Sequence, residues 1–351
     1  MSVDIKKELI LIVLMLFLTV SCTRGENMDN DALKILRVSE KKFNETYKGE
    51  EVDLSYSDLR GMIIKEAILT GANLKGSNLT KTVFKKCNLE KADLSGATLD
   101  HTFFNACQMS EVKIIKSRFS TVFFEDCKMK HADLHESIFN KIQFEKTTLG
   151  RSNLIGIMID DGVFIKSEVQ DCKIMNSKIL NIVINDTNFI GSDLTDSIVQ
   201  GSIVESSSFS DSTLIRTNFS GSKFKGRLFS DPDFLDAKAK DINFSNCNMY
   251  GVSMLDADLE NADFSNSNIE LLDAQSAYLK GANFSNSNLS GLNLGHCDLT
   301  EADFSNSVII RKIILKDTKL DGTSFKKLTF MDNPTIILDD TIYEGKSLPI
   351  E

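Results

Sequence analysis

The chain has 351 residues, with Lys+Arg 40 against Asp+Glu 50 and a formal net charge of −10. Hydrophobic residues at 42% and charged residues at 26% exclude wholesale disorder and supply enough apolar material for a sizeable core. The acidic balance argues against a general nucleic-acid binder, and three prolines, four histidines and no tryptophan are sparse equipment for an enzyme.

Residues 1–21 read as an address rather than a fold. Lys6 and Lys7 precede twelve apolar or near-apolar residues, Leu9–Val20, which lead into Ser21 and Cys22. This is a charged start, a short apolar run and a small residue ahead of a cleavage point. The run is well short of the ~20 residues a helix needs to cross a bilayer. It resembles a bacterial lipoprotein signal peptide, with Thr19 where the lipobox usually carries Leu and Leu18 one place further out. The resemblance implies that Cys22 is lipidated and opens the mature chain; a plain secretory signal and an uncleaved anchor are the alternatives. One acyl chain binds membranes marginally, and two or more hold firmly. In the enterobacterial-type lipoproteins that the leader resembles, Asp after the Cys retains the protein in the inner membrane. Thr23 stands there, which implies export to the outer membrane.

Residues 22–50 make the lipidated N-terminus and a polar tether. Within it, Asp31–Val38 opens a candidate short helix, with Leu33, Leu36, Phe43 and Tyr47 partly on one face. The segment is either a spacer or an N-terminal cap for the domain beyond it.

From Leu54 to Ile314 every fifth residue is apolar, over 53 consecutive positions. At this apolar content chance gives on the order of 10⁻²⁰, so the segment is a repeat architecture. Two positions earlier in each repeat the residue is small in 39 of the 53. A period of five is neither helical nor a simple strand. The two inward positions require a short extended side, and the remaining polar residues must turn a corner. Gly occupies the position two after the apolar residue in twelve repeats, and Asn246, Asn266, Asn286 and Asn306 take the same slot. Both residue types tolerate positive φ. Phe84, Phe104, Phe124, Phe144 and Phe164 are spaced by twenty, and Phe224, Phe244, Phe264, Phe284 and Phe304 continue the series. Twenty residues are four repeats, so a coil has four sides, with Phe stacked on one of them and Leu, Ile or Met on the others.

Stretches such as GANLKGSNL, KADLSGATL and NADFSNSNI carry the pattern A(D/N)LXX of the pentapeptide-repeat family, which the chain resembles over about residues 51–330. The resemblance implies an all-β fold, a right-handed quadrilateral parallel β-helix of about 13 coils. At ~4.8 Å per coil this makes a rod ~60–65 Å long. Residues 331–351 are the C-terminal closing segment, with Pro334 and Thr335–Leu338 covering the last coil against edge-to-edge aggregation.

Two places break the pattern. In residues 225–241 Arg227 and Pro232 fall on small inward positions and Ala239 replaces a large one. Because Phe224 and Phe244 keep the twenty-residue phase, a distorted coil is expected there rather than an ejected loop. Lys312 also falls on an inward slot, and a one-residue bulge near 315–319 is expected to reset the register for Leu320, Phe325 and Phe330.

No catalytic constellation, cofactor or metal site emerges. Cys87, Cys107, Cys127, Cys172, Cys247 and Cys297 all occupy the small inward slot and read as buried free thiols. His131 and His135 would suit zinc on a helix but lie at outward positions around a corner here. Charge is unevenly spread, with ten acidic residues and one basic, Lys280, between 241 and 310. Asp241, Asp258, Glu260, Asp298 and Glu301 project on or beside the side whose core residues are Leu259, Leu279 and Leu299. The strip is either a solvated face that keeps a long rod soluble or a docking surface for a basic partner.

The expected function is that of a membrane-anchored, non-catalytic cell-envelope rod that binds a protein or cell-wall partner, or acts as a spacer. It makes no direct nucleic-acid contact, and end-to-end packing is the dimer its shape allows. The alternative is an acidic rod that mimics DNA and binds DNA gyrase, as the best-known members of the family do. The leader opposes that alternative, because gyrase is cytoplasmic.

Overall fold

The computed structural model describes residues 31–226, 233–331 and 333–338. Cys22, the leader, Arg227, Pro232 and the tail from residue 339 lie outside the described residues.

The chain enters through two short helices, α1 (Asp31–Val38) and α2 (Glu40–Thr46). Ser39 separates them, because its extended backbone ends the first and its hydroxyl accepts from Lys42 N at 3.2 Å to cap the second. Ala32, Leu33, Leu36 and Phe43 are buried on the first coil. The helices also satisfy that coil's open edge. Asn44 accepts from Ile68 N at 2.7 Å and donates to the Glu66 carbonyl at 2.9 Å, Glu40 accepts from Lys65 N at 3.1 Å, and Arg37 donates to the Asp58 carbonyl at 2.7 Å. Residues 31–47 are thus a cap, which removes the exposed N–H and C=O row that makes a sheet edge sticky. Of the two sequence readings of this segment, spacer or cap, residues 31–47 take the second. Among the described residues no helix is long and apolar enough to cross a membrane.

Beyond the cap the chain winds as a four-sided parallel β-solenoid. The column that begins Asp53, Asn73, Asp93 and ends Asp298, Lys319 advances by thirteen parallel steps. The sequence dictates each part of a repeat. The large apolar residue and the small residue two before it point inward, and the core runs the full length of the rod. The intervening Asp or Asn faces out and accepts the backbone N–H two residues on, as Asp53 does from Ser55 (2.9 Å) and Asp93 from Ser95 (3.0 Å). At the next corner the backbone enters the left-handed region and donates to the coil above, as Gly61 N does to the Thr80 carbonyl at 3.0 Å. Non-glycine corners do the same, including Lys81 (φ 59), His101 (φ 56) and Leu271 (φ 57). The corner is therefore enforced by inter-coil hydrogen bonding as much as by Gly or Asn.

Small buried Ser and Thr are satisfied internally. Thr82 Oγ1 donates to the Leu59 carbonyl at 2.8 Å and Ser137 Oγ to that of Ile114 at 2.7 Å. Besides Gly226 and Arg311, which stand at the two register breaks, two described corners depart from the rule. Thr121 and Lys141 lie outside the left-handed region, and strands Arg118–Glu125 and Ile138–Glu145 run on through the corner, where the larger Val122 and Ile142 fill the small slot.

The break at 225–241 differs from expectation. Glu205 pairs with Lys225, twenty residues on, but Thr213 pairs with Lys238 and Asn218 with Asn243, twenty-five on. The coil above agrees, with Lys225 on Tyr250 and Ser253 N donating to Asp233 at 2.9 Å. One complete extra pentapeptide is therefore accommodated between Lys225 and Asp233, and the distorted twenty-residue coil is not observed. An insertion of one repeat leaves the period of five intact but moves everything after it by one side. The Phe series is consequently two columns. Phe84, Phe104, Phe124 and Phe144 stack at 5.0–5.2 Å on one side, where Phe224 pairs with Met249. Phe244 instead stacks on Phe219 at 5.6 Å, on the neighbouring side, and the column continues through Phe264, Phe284, Phe304 and Phe325.

The second slip is also earlier than expected. Leu289 pairs with Ile309, twenty on, whereas Leu292 pairs with Ile313, twenty-one on. The extra residue lies in 310–312, not 315–319. It turns Lys312 out to solvent and buries Ile313 and Leu315 in the two inward slots. The cost of burying an unpaired ammonium explains why the chain yields at that point. Strand Thr335–Ile337 then pairs on Lys312–Ile314 and covers its edge.

Candidate interaction surface

The five acidic residues of the sequence reading do come together. Asp258 and Asp298 lie in one outward column, Lys238–Asp258–Tyr278–Asp298–Lys319, and Glu260 stands beside it. Asp241 (φ 57) and Glu301 (φ 63) occupy the adjoining corner. The strip is not bare, however. Lys240 Nζ lies 2.5 Å from Glu260, Lys280 Nζ 3.9 Å from Glu301 and Lys319 Nζ 3.6 Å from Asp298. Asn261 donates to Asp241 at 3.0 Å. Burial works to raise the Asp298 pKa, but hydrogen bonds from Thr300 and the Lys319 charge outweigh it and hold the carboxyl below its ordinary range. Single lysines one coil away neutralise most of what the local composition suggests is a strongly negative face.

The remaining sequence candidates are structural. All six described cysteines are buried free thiols. Burial pushes Cys172, Cys247 and Cys297 up to about 12. Hydrogen bonding with Cys127, with burial, does the same to Cys107. A thiol reagent at pH 8 should therefore label none of these six in the native rod and all of them in denaturant; fast labelling of any one in the native state would contradict the packing. His131 occupies a corner (φ 58), and His135 Nδ1 lies 2.7 Å from Asp133. Among the described residues no group of three or more His, Cys, Asp or Glu is arranged to hold a metal ion.

A different surface escaped the sequence reading. On the side that carries Phe84 to Phe164 inside, the outward column is apolar as well. Ile63, Val83, Phe103 and Phe123 pair in succession, Gln143 follows, and Val163, Val183 and Ile203 complete it. The corresponding columns on the other three sides begin Asp53, Asn73, Asp93, then Asp58, Asn78, Thr98, and Ile68, Asn88, Gln108, so each is polar from its second coil on at this end of the rod. The signal is present in the sequence as apolar residues at a spacing of twenty in a slot that is usually polar.

The coil geometry agrees with comparisons at the level of sequence. A model of the pentapeptide repeat region matches residues 77–154, and one of pentapeptide repeats (8 copies) matches 50–85, 185–226, 233–269 and 273–307. The chain belongs to the pentapeptide-repeat family. Two of the matches of this pentapeptide-repeat protein, 185–226 and 233–269, flank residues 227–232, where the extra repeat sits. No curated protein matches the sequence. Among solved structures, HetL, a pentapeptide repeat protein involved in heterocyst differentiation regulation from the cyanobacterium Nostoc sp., is 17% identical, covering 82% of this chain and 92% of that one with a TM-score of 0.27. QnrB1, a plasmid-mediated fluoroquinolone resistance protein, is 15% identical over 57% of this chain and 90% of its own, with a TM-score of 0.35. The surface adhesin PfbA of Streptococcus pneumoniae is 8% identical over 91% and 96%, with a TM-score of 0.31. At these values the likenesses carry no functional argument.

Proposed function

We propose that this pentapeptide-repeat protein is a membrane-anchored, non-catalytic lipoprotein of the cell envelope whose rod serves as a protein-interaction scaffold or spacer. The observation that carries the reading is the leader: Lys6 and Lys7, the apolar run Leu9–Val20, then Ser21 and Cys22. Cys22 precedes Asp31, the first residue of the cap, by nine positions, so the anchor would hold the capped end within about 30 Å of the membrane. The interior supports a non-catalytic role. Among the described residues the inward positions are filled by large apolar and small side chains, and the outward positions pair in parallel ladders. The DNA-mimic alternative has less support, since three of the five strip carboxylates have a lysine partner.

The test is Cys22→Ala. The variant should keep its β-rich fold and leave the membrane pellet for the soluble fraction. Membrane association equal to that of the parent would refute the lipid anchor.

A further inference from the structure

Across the first three coils, the side bearing Phe84 and Phe104 inside combines exposed apolar residues with cations. Ile63 is 56% exposed, and Val83 and Phe103 are half-buried in the same outward column. Lys65 and Lys85 flank that column, and Lys81, Lys86 and His101 stand at its two corners. The carboxylates on these coils of this side, among the described residues, are Glu66 and Asp100 at the two corners, the latter accepting from Ser120, and Glu40, which reaches over from the cap to accept from Lys65 N. None of the four lysines has a carboxylate at ion-pair distance among the described residues; Lys75, Lys91 and Lys116 on other sides are paired with Asp93, Glu111 and Glu136. The pattern changes in the fourth and fifth coils, where Glu125, Asp126 and Glu145 take the flanking positions. The apolar-plus-basic surface is therefore confined to the end of the rod next to the cap.

Lysines around an apolar ridge are what an anionic membrane surface attracts. The charges meet the headgroups while Ile63, Val83 and Phe103 reach the acyl boundary. A second argument is position. The surface lies within two coils of a cap whose first residue is nine positions from Cys22, so a tether there keeps the membrane at high effective concentration. We infer that this side of the first three coils, through Lys65, Lys81, Lys85 and Lys86 with Ile63, Val83 and Phe103, rests on anionic phospholipid headgroups. The inference rests on the anchored reading above and adds an orientation: the rod lies by this side on the membrane and leaves the acidic strip, on a different side, free.

The experiment uses the chain from residue 22 onward with Cys22→Ala, which contains every helix and coil described and has no acyl group. Sedimentation is measured with vesicles of phosphatidylcholine alone and with about a third phosphatidylglycerol. Each lysine near an anionic surface contributes about fivefold to partitioning. The parent should pellet with the anionic vesicles, not with the neutral ones, and should be released by salt. Lys65→Gln, Lys81→Gln, Lys85→Gln and Lys86→Gln combined should weaken binding at least tenfold with an unchanged circular dichroism spectrum. Ile63→Ser with Phe103→Ser should weaken it with the salt dependence retained. Equal binding of parent and lysine variant, or equal binding to neutral vesicles, would overturn the inference. So would a vesicle-independent dimer dissolved by Phe103→Ser, which would assign the ridge to a second copy. The two readings fail separately: a native protein that is acylated while the unacylated chain ignores vesicles removes the resting surface alone, and a native protein that is soluble removes the anchor alone.

Discussion

Phe264→Ala is expected to lower the unfolding free energy by about 3–5 kcal/mol, the range for emptying a buried phenyl site. The ring is fully buried and lies between Phe244 at 5.3 Å and Phe284 at 4.8 Å, with the latter pair within 2° of parallel. The site cannot relax much. Inter-coil bonds such as Phe264 N to the Asn283 carbonyl, at 2.7 Å, fix the spacing of the layers, so neighbouring rings cannot close the gap. The cost should fall toward the upper end of the range, because cavity penalties grow with the volume left unfilled. Denaturant unfolding followed by circular dichroism measures it. In a solenoid, a loss confined to the coils around the site shows as an earlier partial transition. A change below about 1 kcal/mol would mean that the Phe column is not the packed core.

Deleting a pentapeptide should have opposite consequences at two places. Removal of Leu228–Pro232 should leave the midpoint nearly unchanged, since the flanking coils already pair as though five residues were absent between Lys225 and Asp233. Removal of Ala132–Glu136 keeps the period of five equally well but rotates every later repeat by one side relative to the coils before it. Phe124 would then face Leu149 in place of Phe144, and the small-against-large match of each later layer with the earlier ones would be lost. We expect a loss of about 3 kcal/mol or more, as for simultaneous cavity and overpacking defects. Parallel thermal unfolding of the two deletions reads the difference directly. Equal destabilisation would contradict the twenty-five-residue coil.

The same contrast shows what the sequence could reveal. Inward positions from Leu54 to Ile309 follow from the period alone, because a solenoid side admits only one large and one small inward residue. The side on which each repeat lies does not follow. An inserted pentapeptide is commensurate with the repeat, so Phe224 and Phe244 keep their phase while changing sides. The slip at 310–312 is visible because one residue is incommensurate, yet the pattern places it late: Ile314 is apolar and extends the apparent run past the true bulge. The acidic strip projects correctly because all five residues lie beyond the inserted repeat and are related by ordinary coils. Its neutralisation does not, since Lys240–Glu260 and Lys319–Asp298 are contacts between coils, twenty or twenty-one residues apart. The apolar ridge at Ile63, Val83 and Phe103 escapes notice because attention to inward slots hides an outward column that recurs only once per coil.

The most direct test of the anchored, non-catalytic rod is the mass and subcellular fraction of the native protein. The account predicts a membrane-bound chain that begins at Cys22 and carries the added mass of its acyl chains. A soluble cytoplasmic chain that begins at Met1 would contradict it.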